Sequence, residues 1–503
     1  MLANIAAAQC SRKTILVLAA VATFLVLGST LLTLQSDEYG RRASKVIHQA
    51  VDSVQEVTRP HHVKKPPIRI GKPSYDGSDA YCREFPDPGN IAVILKTGAT
   101  ELYEKVPMQL ATSLRCVHQP IILSDLEQNL GELKVHDVLS TVSPSAMEDN
   151  TDFNIYRLQQ EYVATGRKNE LPSLSKLPNN STDWRTEGKS AAWELDKYKF
   201  LHMIERSWAL APNRDWYLFI EADTYLSWPN LLSWLPTLDA TQSHYFGNAI
   251  QMHEYSATKL FFGHGGSGIL LSGPVVRAFA SKTPSIARKW DKRVHKMWFG
   301  DFVLAAALYE ELSIRITQGQ PSMTGNEPET QAFLPSMWCR PVITVHHVDM
   351  QHTNFLYQFE KSNISSSPLL WRDVYIAAFP HGMPSNHSDW DNISGDDAYA
   401  LKPGPTEAES KSYEACELAC AKNEKCFQFM YTEKWTKKGE VPVAERWCHH
   451  SRAIILGKQR PPRIGQDGPD SVQNWRSGWM RERIADWVRE NRQCPGGEVE
   501  WPW

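Results

Sequence analysis

The sequence predicts an α/β fold. Three observations lead there: compact apolar runs that end in polar turns, a helical stretch between the first two runs, and a pair of carboxylates that closes a later one. At about 150 residues per domain, 503 residues accommodate roughly three units. Hydrophobic residues make up 42% and charged residues 22%, proportions that exclude a wholly disordered or collagen-like chain. Lys and Arg total 54 against 57 Asp and Glu, so the formal charge of -3 lacks the basic bias of a nucleic-acid binder.

Residues 14–34 form an uncharged apolar run that, as a helix, would cross about 30 Å of hydrocarbon. They are expected to be a transmembrane anchor, with residues 1–13 as a cytoplasmic tail. Ala19-Ala20-Val21-Ala22 also suits signal cleavage, but the run is about twice the length of an ordinary signal-peptide core. Basic residues flank it on both sides and leave orientation open. Sequons at Asn179, Asn180, Asn363, Asn386 and Asn392, and the cysteines after the run, favour a lumenal body of a type II protein. Residues 35–88 are polar, with His61-His62, Lys64-Lys65 and Pro66-Pro67, and read as a stem.

The periodicity then changes. Residues 91–95 and 121–123 read as buried strands, 103–114 as a helix between them, 193–210 as a second helix and 216–220 as a further strand. Leu201, Ile204 and Trp208 give the second helix its apolar stripe, and Pro212 lies beyond its end. Residues 141–189 read as an insertion or flexible loop. A Ser-, Asp- and Pro-rich zone at 366–405 reads as a linker from the α/β unit, residues 89–365, to a cysteine-rich module at 406–485, followed by a tail at 486–503. Cys416, Cys420, Cys426 and Cys448 allow three pairings among themselves.

The chemistry-bearing residues stand at the ends of these runs. Phe219-Ile220-Glu221-Ala222-Asp223 leads an apolar strand into two acids, at the edge where open α/β sheets bind ligands. Carboxylates two residues apart can share a divalent cation that also holds phosphate oxygens. The run Phe262-Gly263-His264-Gly265-Gly266-Ser267-Gly268 is either a close backbone approach to a ligand or a tight turn; it lacks the P-loop ending and the dinucleotide spacing. Asp301 opens an apolar helical stretch, as an N-cap or as a working carboxylate. His346 and His347 follow a strand at 342–345 and can complete a metal site.

The order of Lys96-Thr97-Gly98, Asp196-Lys197-Tyr198-Lys199, Glu221-Ala222-Asp223, the glycine run, Gly300-Asp301 and His346-His347 resembles a fungal branch of glycosyltransferase family 31, which includes Fringe-like and core 1 β1,3-galactosyltransferase-like enzymes. The resemblance implies a GT-A, Rossmann-like fold, a UDP-sugar donor, Mn²⁺ or another divalent cation, a glycan or glycoprotein acceptor, inversion at the anomeric carbon and a Golgi location. It implies donor binding by Lys96, Thr97, Gly98, Lys199, Glu221, Asp223, Gly265 and Gly266. Metal would be held by Glu221, Asp223, His346 and His347, with Asp301 as the general base. Glu221 replaces the family's first Asp, and Gly300 replaces an acid. The C-terminal cysteines and Ser477-Gly478-Trp479 resemble a PAN/apple module, a small disulfide-stapled α+β unit. The competing expectation is a catalytically inactive lumenal lectin.

Overall fold

The computed structural model describes residues 81–85, 90–178, 189–252, 259–363, 368–438, 441–465, 470–494 and 501. The first elements are β1 (Ile91–Lys96), α1 (Leu102–Ala111), β2 (Ile121–Ser124), β3 (Gln128–Leu130), β4 (Leu133–Asp137) and α2 (Asn154–Ala164). Next come α3 (Ala191–Asp196), α4 (Lys199–Leu210), β5 (Trp216–Glu221) and β6 (Tyr225–Leu226). Then follow β7 (Tyr245–Gly247), β8 (Ala249–Met252), β9 (Leu260–Gly263), β10 (Ile269–Ser272), α5 (Gly300–Leu312) and β11 (Thr317–Gln318). Eight of the strands form one mixed sheet in the order β11-β7-β10-β5-β1-β2-β4-β3.

Strands β5, β1, β2 and β4 are parallel, whereas β10 runs against β5. The near-continuous apolar sequences of β1 and β5 follow from this position, since both sheet faces are covered. Ile94, Phe219 and Ile269 face a core shared with Ile204 and Phe302, while Val93, Leu95, Leu218 and Ile220 face another with Trp234. Gly300 through Leu308 of α5 are all buried, as their lack of a polar face requires. Lys96 lies opposite Glu221 in the β1–β5 register, so both strands end at one sheet edge.

A small sheet, β12 (Met323–Thr324), β13 (Thr344–Val345) and β6, stands beside that edge. Helices α6 (Met350–Asn363) and α7 (Trp371–Ala378) follow, then β14 (Asn386–Ser388), β15 (Trp390–Asp391), α8 (Tyr413–Lys422), β16 (Gln428–Lys438), β17 (Val441–Ser451), β18 (Lys458–Gln459), β19 (Arg463–Ile464), β20 (Val472–Trp479) and α9 (Arg481–Glu490). A core of Tyr225, Trp338, Val345, Tyr357 and Trp371 continues into Ile454, Trp479 and Ile484. The C-terminal part therefore packs on the α/β part, and Cys339–Cys494 closes the contact across a separation of 155 residues.

Several expectations change. The fold class is corrected to a mixed α/β body with several disulfides: among the described residues no helix is long and apolar enough to cross a membrane. The longest described α-helix, α6, has 14 residues, about 21 Å at helical rise, and carries polar residues along its length. The anchor expected at 14–34 lies outside the described residues, as do sequons Asn179 and Asn180. Residues 141–178 hold several short helices instead of one loop, with Phe153, Ile155, Leu171 and Leu174 buried. The helix expected at 193–210 breaks at Lys197-Tyr198, where Lys197 is buried between Glu194 and Asp152 at 2.5 and 3.0 Å. The zone at 366–405 contains α7, whose Trp371, Val374 and Tyr375 are buried. Sequon Asn392 is buried, its amide donating to the Phe429 carbonyl at 3.1 Å, so the folded chain offers no room for a glycan there.

Cys416 pairs with Cys448 and Cys420 with Cys426, while Cys82–Cys116 ties the segment before β1 to the body. Replacing Cys339 and Cys494 together by Ser is expected to cost about 2–5 kcal/mol, read from denaturant midpoints in non-reducing buffer. An unchanged midpoint would mean that the packing of α9, Ile484 and the Trp338–Trp487 contact with centroids 4.8 Å apart included, suffices without the bridge.

Candidate functional site

The site is built where β1 and β5 end together. Lys96 places its ammonium 3.0 Å from Glu221 Oε1, pairs with Asp196, and lies 4.8 Å from the centre of the Phe200 ring. Burial alone would favour the neutral amine, but Asp196 and Glu221 outweigh it and keep Lys96 charged. Lys199 is 2% exposed, and its ammonium donates to the Thr97 carbonyl at 3.0 Å and meets Asp196 and Asp125 at 3.1 and 3.3 Å. Lys199 therefore braces the turn after β1 and also lines the cleft at this sheet edge. Asp125 also accepts from the Ala99 amide at 2.7 Å, fixing the far side of Lys96-Thr97-Gly98. Thr97 Oγ1 is buried and has no hydrogen-bond partner among the described residues.

Asp223 lies just beyond β5. One oxygen stands 3.1 Å from His346 Nε2, and the other accepts from Lys105 at 3.0 Å. Burial would raise its pKa, but His346 and Lys105 hold it well below the usual carboxylate range. Glu221 is farther, 3.9 Å from His346 Nε2, so Asp223 is the better placed of the two acids to share a ligand with that histidine. Just beyond β13, His347 adopts φ 58°, and its ring centroid lies 3.9 Å from that of His346. Asp223, His346 and His347 consequently offer ligand atoms all within 4.8 Å of one another. His346 Nδ1 is buried and has no hydrogen-bond partner among the described residues. An acid, two imidazoles and an orphaned ring nitrogen suit a divalent cation.

The glycine run passes over this group. A Cβ on Gly266 would fall 2.1 Å from the His346 ring, and one on Gly265 would meet Glu221 Oε1 and Phe200 at 3.0 Å. Absence of side chains at these two positions is therefore what admits the histidine and the strand-end acid. Thr224 Oγ1 donates to the Gly266 carbonyl at 2.7 Å, and the Gly265 amide donates to Asp301 Oδ2 at 2.8 Å. His264, in the same run, has its pKa pushed down to about 4 by burial and by His346.

Asp301 is the second residue of α5 rather than its N-cap, which is Phe299. Its other oxygen accepts from the Phe302 amide at 2.7 Å. Burial raises its pKa to about 7 against the opposing pull of those two amides, with Glu221 adding to the rise. The neighbouring Gly300 has a steric cause: a Cβ there would lie 2.1 Å from Phe200.

Lys96, Gly98, Glu221, Asp223, Gly266, Asp301, His346 and His347 all line one cleft of about 720 Å³, walled by Trp193, Phe262 and Phe299. A groove of similar size, about 740 Å³, shares none of these residues, so donor chemistry rather than size locates the site. Sequence reasoning missed Lys105, Asp125 and Asp196 as working parts. Lys105 stands four residues after Glu101 and pairs with it at 2.8 Å, which reads as a helix-surface pair until the fold brings Asp223 alongside.

Residues 157–322 match a family model described as Fringe-like. The Fringe-like family is one of glycosyltransferases, and the matched stretch contains Lys199, both strand-end acids, the glycine run and Asp301. It stops before His346 and does not reach the C-terminal cysteines, so it supports neither the apple-like module nor the fungal branch. No curated protein matches the chain.

Gly266→Ala is expected to displace His346 and to weaken Mn²⁺ binding by about tenfold or more, as His346→Ala should. Calorimetric titration with MnCl₂ reads both variants, and wild-type affinity in both would remove His346 from the ligand set.

Proposed function

We propose that this protein is an inverting glycosyltransferase that moves a hexose from a UDP-sugar to a hydroxyl of a glycan or glycoprotein, forming a β1,3 linkage. The observation that carries the reading is the meeting of the Asp223, His346 and His347 ligand atoms with Asp301 in one cleft, within and beside the Fringe-like stretch.

Asp223, His346 and His347 would hold a divalent cation, Mn²⁺ in this proposal, with Glu221 close by. When bound, the cation supplies positive charge to stabilise the departing diphosphate. Lys96 stays charged beside Glu221 and adds to the same field, and the turn at Thr97-Gly98 offers backbone and an unpartnered hydroxyl to the donor. Trp193, Phe262 and Phe299 give the sugars apolar walls that exclude water.

An acceptor hydroxyl is a weak nucleophile near neutrality, so its proton must leave as it attacks. Asp301 takes that proton on a carboxylate oxygen. The acceptor oxygen bonds the anomeric carbon from the face opposite UDP, and UDP leaves with the electron pair of the broken C–O bond. A base with a pKa near 7 combines a substantial ionised fraction with useful proton affinity. The body is further proposed to reside in the Golgi lumen. Four disulfides and the exposed sequon residue Asn386 support an oxidising, glycosylating compartment.

The full chain, screened against UDP-hexoses with Mn²⁺, is expected to hydrolyse or transfer from one of them. Neither binding nor turnover of any would favour the lectin reading. Asp301→Asn is nearly isosteric, but its single carbonyl oxygen can accept only one of the two backbone amides, from Gly265 or Phe302, and the basic oxygen is gone, so transfer should fall by about 10²-fold or more while UDP-sugar affinity persists. A folded, donor-binding variant with wild-type transfer would eliminate Asp301 as the base.

The pH dependence has two opposite signs. Transfer needs ionised Asp301 and should rise with pH through about 7. The fold favours the protonated carboxyl, so the stability linked to it is fully present below the ordinary value of 3.8 and is lost as pH rises toward about 7. Thermal midpoints of wild type and Asp301→Asn between pH 4 and 8 should diverge across that window. Parallel midpoints would show that Asp301 titrates normally.

A further inference from the structure

We propose that His264 sets donor specificity: its Nε2–H donates a hydrogen bond to a hydroxyl oxygen of the transferred hexose and holds neither the cation nor the diphosphate. This role rests on the transferase reading and adds a requirement to it, a sugar hydroxyl presented beside the glycine run. His264 lines the cleft, and its backbone is fixed at both ends. The amide donates to the Asn248 carbonyl at 2.9 Å, and the carbonyl accepts from the Ser267 amide at 3.1 Å. The ring is fixed as well. Its Nδ1 stands 2.9 Å from Ser267 Oγ, and that oxygen accepts from Asn248 Nδ2 at 3.2 Å. Ser267 is fully buried, so its hydroxyl proton needs an acceptor inside the protein. Among the described residues the one it meets is His264 Nδ1. An accepting Nδ1 leaves the ring proton on Nε2, and a protonated nitrogen cannot ligate a metal.

The Nε2–H has no hydrogen-bond partner among the described residues, and its position suits a sugar. On one side the His264 ring meets that of His346 edge-on, with centroids 5.4 Å apart. On the other, the next residue in the chain, Gly265, donates its amide to the proposed base Asp301 at 2.8 Å. His264 thus stands between the histidine that would hold the cation and the carboxylate that would take the acceptor's proton. A hexose whose diphosphate sits on that cation must bring its anomeric carbon near Asp301, which lays the sugar along the imidazole. Phosphate oxygens are best met by charge, which Lys96 carries. The imidazole, kept neutral by burial and by His346, matches an uncharged hydroxyl instead.

The test uses the full chain with MnCl₂, UDP, UDP-galactose, UDP-glucose and UDP-N-acetylglucosamine as probes, read by calorimetry. For the UDP-sugar that binds the wild type best, His264→Ala should lower affinity by about tenfold while the affinities for Mn²⁺ and for UDP stay within about twofold. His264→Gln, whose amide N–H reaches toward the place of Nε2, should restore much of the loss. Among the deoxy forms of that donor, one should bind the wild type about tenfold more weakly than the parent yet bind His264→Ala as the parent does. Long-range ¹H–¹⁵N NMR at neutral pH should show His264 with a bare Nδ1 and a protonated Nε2. The proposal is overturned if His264→Ala binds the UDP-sugar like the wild type, if Mn²⁺ or UDP affinity falls as far as UDP-sugar affinity, if no deoxy form shows that pattern, or if the proton sits on Nδ1. A wild type that binds none of the three UDP-sugars overturns the transferase reading and the role of His264 with it, whereas normal wild-type binding with an insensitive His264→Ala overturns only the latter.

Discussion

Everything at the site depends on β1 and β5 ending side by side with Lys96 held between Asp196 and Glu221. Two carboxylates at a buried sheet edge would repel each other and lose hydration; one ammonium between them offsets both costs. The same ammonium is held over Phe200, whose ring also touches the space above Gly265 and Gly300. This ammonium and its two carboxylates thereby set the spacing among the strand ends, the glycine run and the start of α5. Lys199, Asp125 and Asp196 form a second tier that keeps the turn after β1 in place.

Upon this base, small residues do the fitting. Gly266 leaves room for His346, Gly265 for Glu221, and Gly300 for Phe200. Asp301 then links the helix to the run through the Gly265 amide, so the proposed base and the proposed metal ligands share one rigid frame. Such coupling is costly, since it buries carboxylates and leaves an imidazole nitrogen unpaired; sites that bind charged ligands commonly carry these features.

The strands were legible because their burial on both faces demands unbroken apolar runs. Residues 91–95 and 216–220 could be placed within a residue or two of their observed ends. The helices before the site were less so. α2 buries only Ile155 and Gln159 along its length, and its polar remainder hid it inside a supposed loop. The break between α3 and α4 was invisible because Lys197, a good helix former, is buried there by contacts from Asp152 and Glu194. The acids, glycines and histidines of the cleft could be named from the sequence because chemistry restricts them to few residue types. Lys105 could not: its role arises from a contact 118 residues away in the chain. The bracing contacts of Lys199 with Thr97, Asp125 and Asp196 were likewise hidden, because those partners lie in separate stretches of the sequence or read as helix-surface neighbours.

The central claim is that the cleft at the β1–β5 edge holds a divalent cation together with a UDP-sugar. Crystals grown with UDP and Mn²⁺, examined by anomalous scattering at the manganese edge, test it most directly. The account predicts one strong peak within coordination distance of Asp223 and at least one of His346 and His347, with the diphosphate reaching toward Lys96. A well-occupied manganese site elsewhere, with neither ion nor nucleotide in this cleft, would contradict it.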